Sequence, residues 1–398
     1  MIPQETLSKV SLDHLKSKAE LQGSYRFFDS FVDVHTNIPS VLSEFDSIYR
    51  RFRIENAQDN PGKKDLYLIF EDSAKPRIVT LCDDDYQVMS DQSPTPNLYL
   101  YIFSYITPKV TSHYLVHAST ISYRDQATII TAHSTAGKTT LAVELLRKGF
   151  KFLSDELAPI HRKTHLIDPF PRNIGLRDLR VHHLDYLASD KIAQSRNAKG
   201  EIKFMIDPEV LCPGSIGSAC AAKNVIFLEP QYEEKTPADD THEWEEIALT
   251  RLPPSLLRAI QNIAGVLEIE VVEDRIFPLL RVMHPKGSHI LNDIEEAARV
   301  YQSGLVSIFN GKTHKPNFSA IPALKGISKF EGTVELAKMI LNAHPEAVLM
   351  NEMKQSSAYL LTQLADITQN YDFYQLRIGR LDLMTKIVDD LIRSTHGK

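Results

Sequence analysis

The sequence predicts an α/β fold with an N-terminal α+β region and a helical C-terminal segment. After residue 110, apolar strand patterns alternate with amphipathic helical patterns, which is typical of a sheet covered by helices. Before residue 110 strand patterns prevail, and from Lys329 onward helical patterns prevail. The chain has 398 residues, enough for two domains, and we place them at 1–110 and 111–398.

Composition and charge limit the class of protein. Apolar residues make up 43% and charged residues 24%, which is ordinary for a globular chain. The net charge of −6 creates no overall field that attracts polyanions, so we expect no nucleic-acid partner. The most apolar run, 98–106, is too short to span a bilayer, and residues 1–20 lack the apolar core of a secretory signal. We therefore expect a soluble, cytoplasmic protein whose three cysteines are free thiols.

The N-terminal region carries four element patterns and one loop pattern. Tyr25–Val34 predicts a strand, and the apolar spacing over 39–53 predicts a helix. Residues 65–70 and 77–82 alternate as strands do. The proline-containing stretch 90–97 predicts a loop. We expect this region either to dock a substrate or to add strands to the second domain.

The second domain is predicted to alternate strands and helices. The predicted strands are 114–122, 128–132, 150–153, 224–228 and 373–378, and the predicted helices are 139–148, 331–343, 353–369 and 380–394. The acidic, proline-containing stretch 231–245 predicts a surface insertion.

The segment Ala132–Thr140 carries the strongest chemical signal. A phosphate loop needs a flexible backbone, a helix N-terminus behind it, a lysine and a hydroxyl for Mg²⁺. Gly137 lets the backbone approach phosphates, Lys138 can reach the β- and γ-phosphates, and Thr139 is placed to bind the metal. Ala132 stands where the usual pattern has its first glycine. The residues that we expect to bind the nucleotide are Ser134, Thr135, Ala136, Gly137, Lys138, Thr139 and Thr140.

An acidic pair follows one helix later. Asp155 and Glu156 lie at the carboxyl end of the predicted strand 150–153, and in a doubly wound sheet this position lies beside the phosphate loop. Adjacent carboxylates can hold Mg²⁺ or accept a proton from an attacking hydroxyl, although such pairs are also common in solvated turns. We expect Asp155 and Thr139 to bind Mg²⁺. His117 follows an apolar run, and both a structural role and a role near the phosphates stay open for it.

These motifs together resemble the catalytic core of the HPr kinase/phosphorylase family, and more closely its HprK-related kinase relatives. The resemblance rests on Val116-His-Ala-Ser, the Gly-Lys-Thr-Thr loop and Leu153-Ser-Asp-Glu, with His117 lying 21 residues before Lys138 and Glu156 lying 18 after it. The Pro-Phe-Pro-Arg block that ends at Arg172 is similar to a segment of those relatives. The likeness is strong over 114–178 and fainter over the rest of 110–398.

The resemblance implies a phosphoenolpyruvate-carboxykinase-like P-loop kinase core that uses ATP and Mg²⁺ to phosphorylate a serine hydroxyl. By position, Lys138 would stabilise phosphoryl charge, and Thr139 would bind the metal. Glu156 would accept the proton, and His117 would lie near the phosphates.

Two departures from the family pattern bear on the substrate. The family usually has Asp-Asp where this chain has Asp155-Glu156, and its acidic catalytic signature is replaced in this neighbourhood by Arg172 and Arg177. HPr itself as substrate and the reverse phosphorylase reaction are therefore open. The two arginines are either surface residues or a clamp for an anionic substrate or the γ-phosphate, and we include Arg172 among the catalytic residues.

Three functions are compatible with these residues. The favoured one is an ATP-dependent kinase whose acceptor is a peptide, a protein or a small-molecule hydroxyl. The second is a nucleotide-binding regulatory module that no longer transfers phosphate, which Ala132 and Glu156 keep open. The third, a P-loop NTPase that performs mechanical work, would need a lone acid after an apolar strand and an arginine finger, and we identify neither. The sequence leaves a homo-oligomer open.

Overall fold

The structure is a computed structural model of the 398-residue chain. It describes residues 6–7, 9–55, 65–72, 75–82, 85–90, 106–132, 136–179, 184, 192–196, 202–231, 241–249, 252–272, 278–301, 303, 305–311, 317–342, 348–349 and 357–395.

The strands within these residues are mostly short. In chain order they are β1 Thr6–Leu7, β2 Leu21–Phe27, β3 Ser30–Thr36, β4 Asp65–Asp72, β5 Lys75–Cys82, β6 Asp85–Ser90, β7 His113–Val116, β8 Ala118–Tyr123, β9 Gln126–Thr131, β10 Lys151–Ser154, β11 Ala158–His161, β12 Leu166–Ile167, β13 Ile174–Leu176, β14 Ile192–Arg196, β15 Ile202–Ile206, β16 Cys220–Glu229, β17 His242–Leu249, β18 Glu268–Val272, β19 Leu279–Pro285, β20 Leu305–Gly311, β21 Ala323–Ile327 and β22 Asp372–Arg377.

The helices alternate with strands mainly in the second half of the chain. They are α1 Lys9–Lys18, α2 Pro39–Tyr49, α3 Lys138–Arg147, α4 Pro208–Leu211, α5 Pro254–Gln261, α6 Ile290–Val300, α7 Lys329–Lys338, α8 Ser357–Ile367 and α9 Leu381–Thr395. In the part of the chain that the structure describes, no helix is both long and apolar enough to cross a membrane. The fold class is mixed α/β, as predicted.

The chain divides into two compact units that are not continuous in sequence. Unit 1 comprises Met1–Ser104, Gln194–Lys203 and Glu234–His314, and unit 2 comprises Tyr105–Ala193, Phe204–Glu233 and Lys315–Lys398. The prediction of two domains divided at residue 110 stays a prediction.

Unit 1 contains a six-stranded sheet in the order β1-β6-β5-β4-β3-β2. Its β2 and β3 form a hairpin, so the prediction of one continuous strand over Tyr25–Val34 is wrong. The chain reverses because Phe28 adopts a left-handed backbone with φ 59°. The predicted helix over 39–53 is confirmed as α2, which buries Phe45 and Tyr49 against aromatic side chains of β2.

Unit 1 also contains a four-stranded antiparallel sheet in the order β18-β19-β17-β20. The stretch 231–245 was predicted to be a surface insertion, but from His242 onward it belongs to β17, a central strand of this sheet. Alternate side chains of β17 explain the difference, because Ile247 and Leu249 are buried against α5 and α6.

Unit 2 is built on a sheet whose centre is parallel. β9 pairs with β16, and β16 pairs with β22, in both cases in parallel. The register places Thr131 opposite Phe227, and Glu229 opposite Arg377, so the carboxyl ends of the three strands share one edge. Ligands of open α/β sheets bind at such edges.

Helices cover both faces of this sheet. On β9, Ile130 packs into the cluster that contains α3 and α9, whereas the next residue towards the N-terminus, Ile129, packs into the cluster that contains α7 and α8. Successive strand residues point to opposite faces, so burial on both faces explains the continuous apolar runs that identified these strands. Because β9 is packed on both faces, its carboxyl end has a defined position at the edge of the sheet.

Candidate functional site

The candidate phosphate loop connects β9 to α3. Ser134 and Thr135, which were predicted to bind the nucleotide, lie outside the described residues. Gly137 precedes the helix with φ 88° and ψ 18°, a left-handed backbone that glycine adopts readily. Ala136 is buried beside it, and the amide of Leu141 donates to the Gly137 carbonyl at 2.9 Å. The helix thus begins at the end of the loop, one residue before the predicted start at Thr139.

Lys138 joins the two ends of this loop. Its side chain is buried, and Nζ donates to the carbonyl oxygen of Ala132 at 2.8 Å. The ammonium group therefore lies within the loop that begins at the carboxyl end of β9. A buried lysine needs compensating partners, and the Ala132 carbonyl is one of them.

Asp155 is the most buried carboxylate of the site, with 2% of the residue exposed. It follows β10 directly and accepts a hydrogen bond from Thr139 Oγ1, which lies 3.0 Å from Oδ1 and 3.2 Å from Oδ2. It also accepts one from Ser119 Oγ at 2.6 Å. The structure thus brings together the two residues that we expected to bind metal. Thr140 lies one position further along α3 and is partly buried.

Glu156 faces outward from the same turn. Its φ is 76°, a left-handed conformation that is uncommon for a residue with a long side chain. Its carboxylate is partly exposed, with Oε1 3.0 Å from Arg172 Nη2 and Oε2 3.5 Å from His117 Nε2. The unusual backbone sends two successive acidic side chains to different partners, Asp155 to buried hydroxyls and Glu156 to basic groups.

His117 reaches this position because the chain bends there. We predicted one strand over 114–122, but β7 and β8 are separate strands that pair with different neighbours, so the prediction of continuity is wrong. His117 lies between them, its amide donates to the Met339 carbonyl at 2.8 Å, and its own carbonyl accepts from Thr131 Oγ1 at 2.8 Å. These bonds satisfy the backbone groups that leave the sheet ladder.

Arg172 is held from both sides. The amide of Phe170 donates to the Leu153 carbonyl at 2.7 Å, which ties the Pro-Phe-Pro-Arg segment to β10. The guanidinium is buried and donates through Nε to the Asp155 carbonyl at 3.2 Å, besides its contact with Glu156. The alternative of an isolated surface arginine is wrong for Arg172. Arg177, in contrast, is exposed after β13.

Two further contacts were missed by sequence reasoning. Ser119 belongs to the Val116-His-Ala-Ser motif but was not predicted as a site residue, whereas its hydroxyl donates to Asp155 and orients it. His113 Nε2 lies 2.8 Å from Asp168 Oδ2, and its Nδ1 lies 2.7 Å from Ser112 Oγ. This chain of contacts fixes the start of the segment that carries Arg172. No local signal could have found it, because 55 residues separate His113 from Asp168.

The donor set fits a divalent cation that prefers oxygen. Mg²⁺ is commonly held by one or two protein oxygens, with water and phosphate oxygens completing the octahedron. A hydroxyl from Thr139 and a carboxylate from Asp155 match that pattern. Over the described residues, no group of three or more His, Cys, Asp or Glu side chains could hold a metal ion. A cation at Thr139 and Asp155 would therefore draw further ligands from a bound substrate and water.

Comparison with known proteins finds likeness only among solved structures, and it is distant. Neither a protein-family model nor a curated protein matches the chain. Among solved structures, it is similar to the Hpr(Ser) kinase/phosphatase from Coxiella burnetii, with 15% sequence identity over 47% of this chain and 90% of that chain. The TM-score is 0.19. A likeness at this level does not establish membership of that family.

Proposed function

We propose that the chain is an ATP-dependent, Mg²⁺-requiring kinase that transfers the γ-phosphoryl group to a hydroxyl, foremost a serine of a peptide or protein. One observation carries the proposal. The Thr139 hydroxyl, in the first turn of the helix behind Gly137 and Lys138, contacts buried Asp155, and Asp155 is followed directly by the outward-facing Glu156. The residues proposed as phosphate loop, metal ligands and proton acceptor thus adjoin one another.

The phosphates of ATP would bind at the N-terminus of α3. Backbone amides at a helix N-terminus, together with the helix dipole, favour anions. Lys138 would move its ammonium contact from the Ala132 carbonyl towards the β- and γ-phosphates, a short displacement within the loop.

Thr139 and Asp155 would hold the metal. When bound there, the metal would supply positive charge that offsets the charge of the phosphates. Ser119 keeps one carboxylate oxygen of Asp155 fixed through its 2.6 Å hydrogen bond, so this side chain is oriented before substrate arrives.

Glu156 would act as the general base. The acceptor oxygen attacks the γ-phosphorus, the bond to the β-γ bridging oxygen breaks, ADP leaves, and the hydroxyl proton passes to the Glu156 carboxylate. Arg172 and His117 hold the two carboxylate oxygens of Glu156, which limits its orientations. The buried Arg172 would also add positive charge beside the transferred group.

Two alternatives remain for the same site. A small-molecule hydroxyl would use the same groups as a serine. A nucleotide-binding module without transfer is favoured by Ala132 at the first position of the loop and by glutamate at position 156, because both depart from the pattern of the kinases that the sequence resembles.

Label transfer tests the proposal. The full chain is incubated with γ-labelled ATP, Mg²⁺ and heat-treated extract of the source cells, and label is followed in protein, peptide and metabolite fractions. We expect Lys138→Ala to remove at least ~3 kcal/mol of transition-state stabilisation, a rate loss of about a hundredfold or more. Asp155→Asn should lose transfer as well.

The fractions discriminate between the alternatives. Label in a metabolite points to the small-molecule kinase, and ATP binding without label in any fraction points to the regulatory module. Release of free phosphate without a labelled acceptor would indicate an NTPase. A rate loss of less than tenfold in Lys138→Ala would contradict the assignment of the loop.

A further inference from the structure

A partly exposed aromatic ring lies against the candidate phosphate loop. Phe318 has 49% of its surface exposed, and its Cε1 lies 3.6 Å from the position that a Cβ on Gly137 would occupy. An apolar side chain of this size usually loses more of its surface to the core. Phe318 is therefore a candidate contact for something that binds at the loop.

The turn that carries Phe318 is held by backbone hydrogen bonds on both sides. The Asn317 amide donates to the Gln231 carbonyl at 2.6 Å, and the Arg380 amide donates to the Ala320 carbonyl at 2.9 Å. Within the turn, the Ser319 amide donates to Asn317 Oδ1 at 2.9 Å. The ring is thus carried by a turn with defined anchors.

Side-chain hydrogen bonds and close packing also hold the turn that carries Phe318. Gln231 Nε2 donates to the Ile378 carbonyl at 2.9 Å and lies 3.3 Å from the Ile321 carbonyl. At Gly379, a Cβ would collide with the carbonyl oxygen of Ala320, so only glycine permits this close approach. The residues that anchor the turn follow β16 and β22 directly, and these strands end at the same edge as β9.

We propose that Phe318 is the stacking platform for the base of the nucleotide whose phosphates bind at Gly137 and Lys138. The proposal rests on the proposed function. It assigns a contact to the base, which is the part of the nucleotide that the residues proposed for catalysis leave unassigned. Lys138, Thr139 and Asp155 account for phosphates and metal, whereas an aromatic face offers no strong donor to a phosphate. A purine presents a flat π-face, and stacking on an aromatic side chain contributes about 1–3 kcal/mol per base.

The chemistry of stacking also determines selectivity. Every base has a π-face, so a platform of this kind accepts adenine and guanine alike unless hydrogen bonds add discrimination. Phe318 alone therefore makes the chain tolerant of ATP and GTP, with affinities for the two that differ little.

Binding of ATP and of inorganic tripolyphosphate tests the platform, because the second ligand has the phosphates and lacks the base. Both are titrated with Mg²⁺ into the full chain by calorimetry. We expect Phe318→Ala to raise the Kd for ATP about tenfold, within the range set by base stacking, and to leave the Kd for tripolyphosphate unchanged. Ile321→Ala is the matched control, because Ile321 lies three residues away with 80% of its surface exposed.

A second variant gives a direct signal. Phe318→Trp should retain ATP affinity, and its indole fluorescence should change on addition of ATP but not of tripolyphosphate. Trp244 is the single natural tryptophan, so the variant is made together with Trp244→Phe.

Three results would overturn the platform alone while ATP still binds the unaltered chain. The first is an unchanged Kd for ATP in Phe318→Ala. The second is an equal weakening of ATP and tripolyphosphate binding in that variant. The third is an effect of the variant confined to the KM of the phosphoryl acceptor, which would make Phe318 an acceptor contact. Failure of the unaltered chain to bind either ligand would overturn the proposed function and the platform with it.

Discussion

At the scale of single residues, the candidate site depends on the buried carboxylate of Asp155, which accepts hydrogen bonds from Ser119 and Thr139. Lys138, Thr139 and Asp155 were predicted from short motifs whose residue types indicate their chemistry. The structure brings Thr139 and Asp155 into contact. Ser119 could not be found in this way, because its proximity to Asp155 depends on the pairing of β8 with β10. The left-handed backbone of Glu156 was also unpredictable, since glutamate carries no preference for it.

Ser119→Ala tests the role of that hydroxyl as a positioning group for Asp155. The variant removes one hydrogen bond to a buried carboxylate, which costs about 1.5–3 kcal/mol of stability when the acceptor is charged. If Ser119 orients Asp155 for a metal, the concentration of Mg²⁺ that gives half-maximal phosphoryl transfer should also rise. Transfer rates are measured across a Mg²⁺ titration, with urea unfolding in parallel.

Thr120→Val supplies the matched control on the same strand. Thr120 is fully buried, and its hydroxyl has no hydrogen-bond partner among the described residues. Replacing it with an isosteric apolar side chain should leave the Mg²⁺ dependence unchanged and stability equal or higher. An identical Mg²⁺ dependence in Ser119→Ala and the unaltered chain would contradict the positioning role.

At the scale of elements, the spacing of apolar residues and the residues at helix ends predicted most helices of unit 2. They did not predict where strands are interrupted. The helix after the phosphate loop and the closing helix α9 were predicted within one residue at either end. The reversal at Phe28 was missed because phenylalanine gives no turn signal. β17 was missed because four of its first five residues are acidic or histidine, so the apolar alternation is visible only in its second half.

Phe45→Ala tests the packing of α2 on β2 in unit 1. Phe45 is 1% exposed, and its ring centroid lies 4.5 Å from that of Tyr25 in an edge-to-face arrangement. Truncation of a buried phenylalanine costs about 3–5 kcal/mol, so the urea midpoint of unit 1 should fall markedly. Val300→Ala is the control, because Val300 also lies in unit 1, is 65% exposed and should shift the midpoint little. Equal effects of the two variants would contradict the packing described for α2.

At the scale of the whole molecule, alternation of strands and helices was enough to predict the α/β class. The sequence could not show that unit 1 is assembled from three separate segments, because their association depends on tertiary contacts between 1–104, 194–203 and 234–314. The four-stranded sheet of unit 1 went unpredicted for the same reason. Long-range pairing has no periodic signature in a single sequence.

Glu245 makes the stability of unit 1 dependent on pH. Burial, with Glu243 nearby, raises the pKa of Glu245 from 4.5 to about 7. The folded state therefore keeps this proton at pH values where the unfolded state has released it, and stability falls as pH rises from about 4.5 through 7.

Glu245→Gln should remove this part of the pH dependence. We expect the variant to unfold at a higher temperature than the unaltered chain at pH 8 and to differ little from it at pH 4.5, where Glu245 is protonated in the folded state. Thermal unfolding at the two pH values measures the effect. Glu268→Gln is the control, since Glu268 is exposed. A parallel shift of Glu245→Gln at both pH values would contradict the raised pKa.

The most direct test of the central claim is calorimetric titration of the full chain with ATP, with and without Mg²⁺. We expect saturable binding of one nucleotide per chain, tighter with Mg²⁺. In Lys138→Ala we expect an affinity at least about tenfold lower, on the scale of one lost charge-assisted contact. Lys148→Ala, at the other end of the same helix, should bind as the unaltered chain does. Absence of ATP binding, or equal affinity of Lys138→Ala and Lys148→Ala, would contradict the claim.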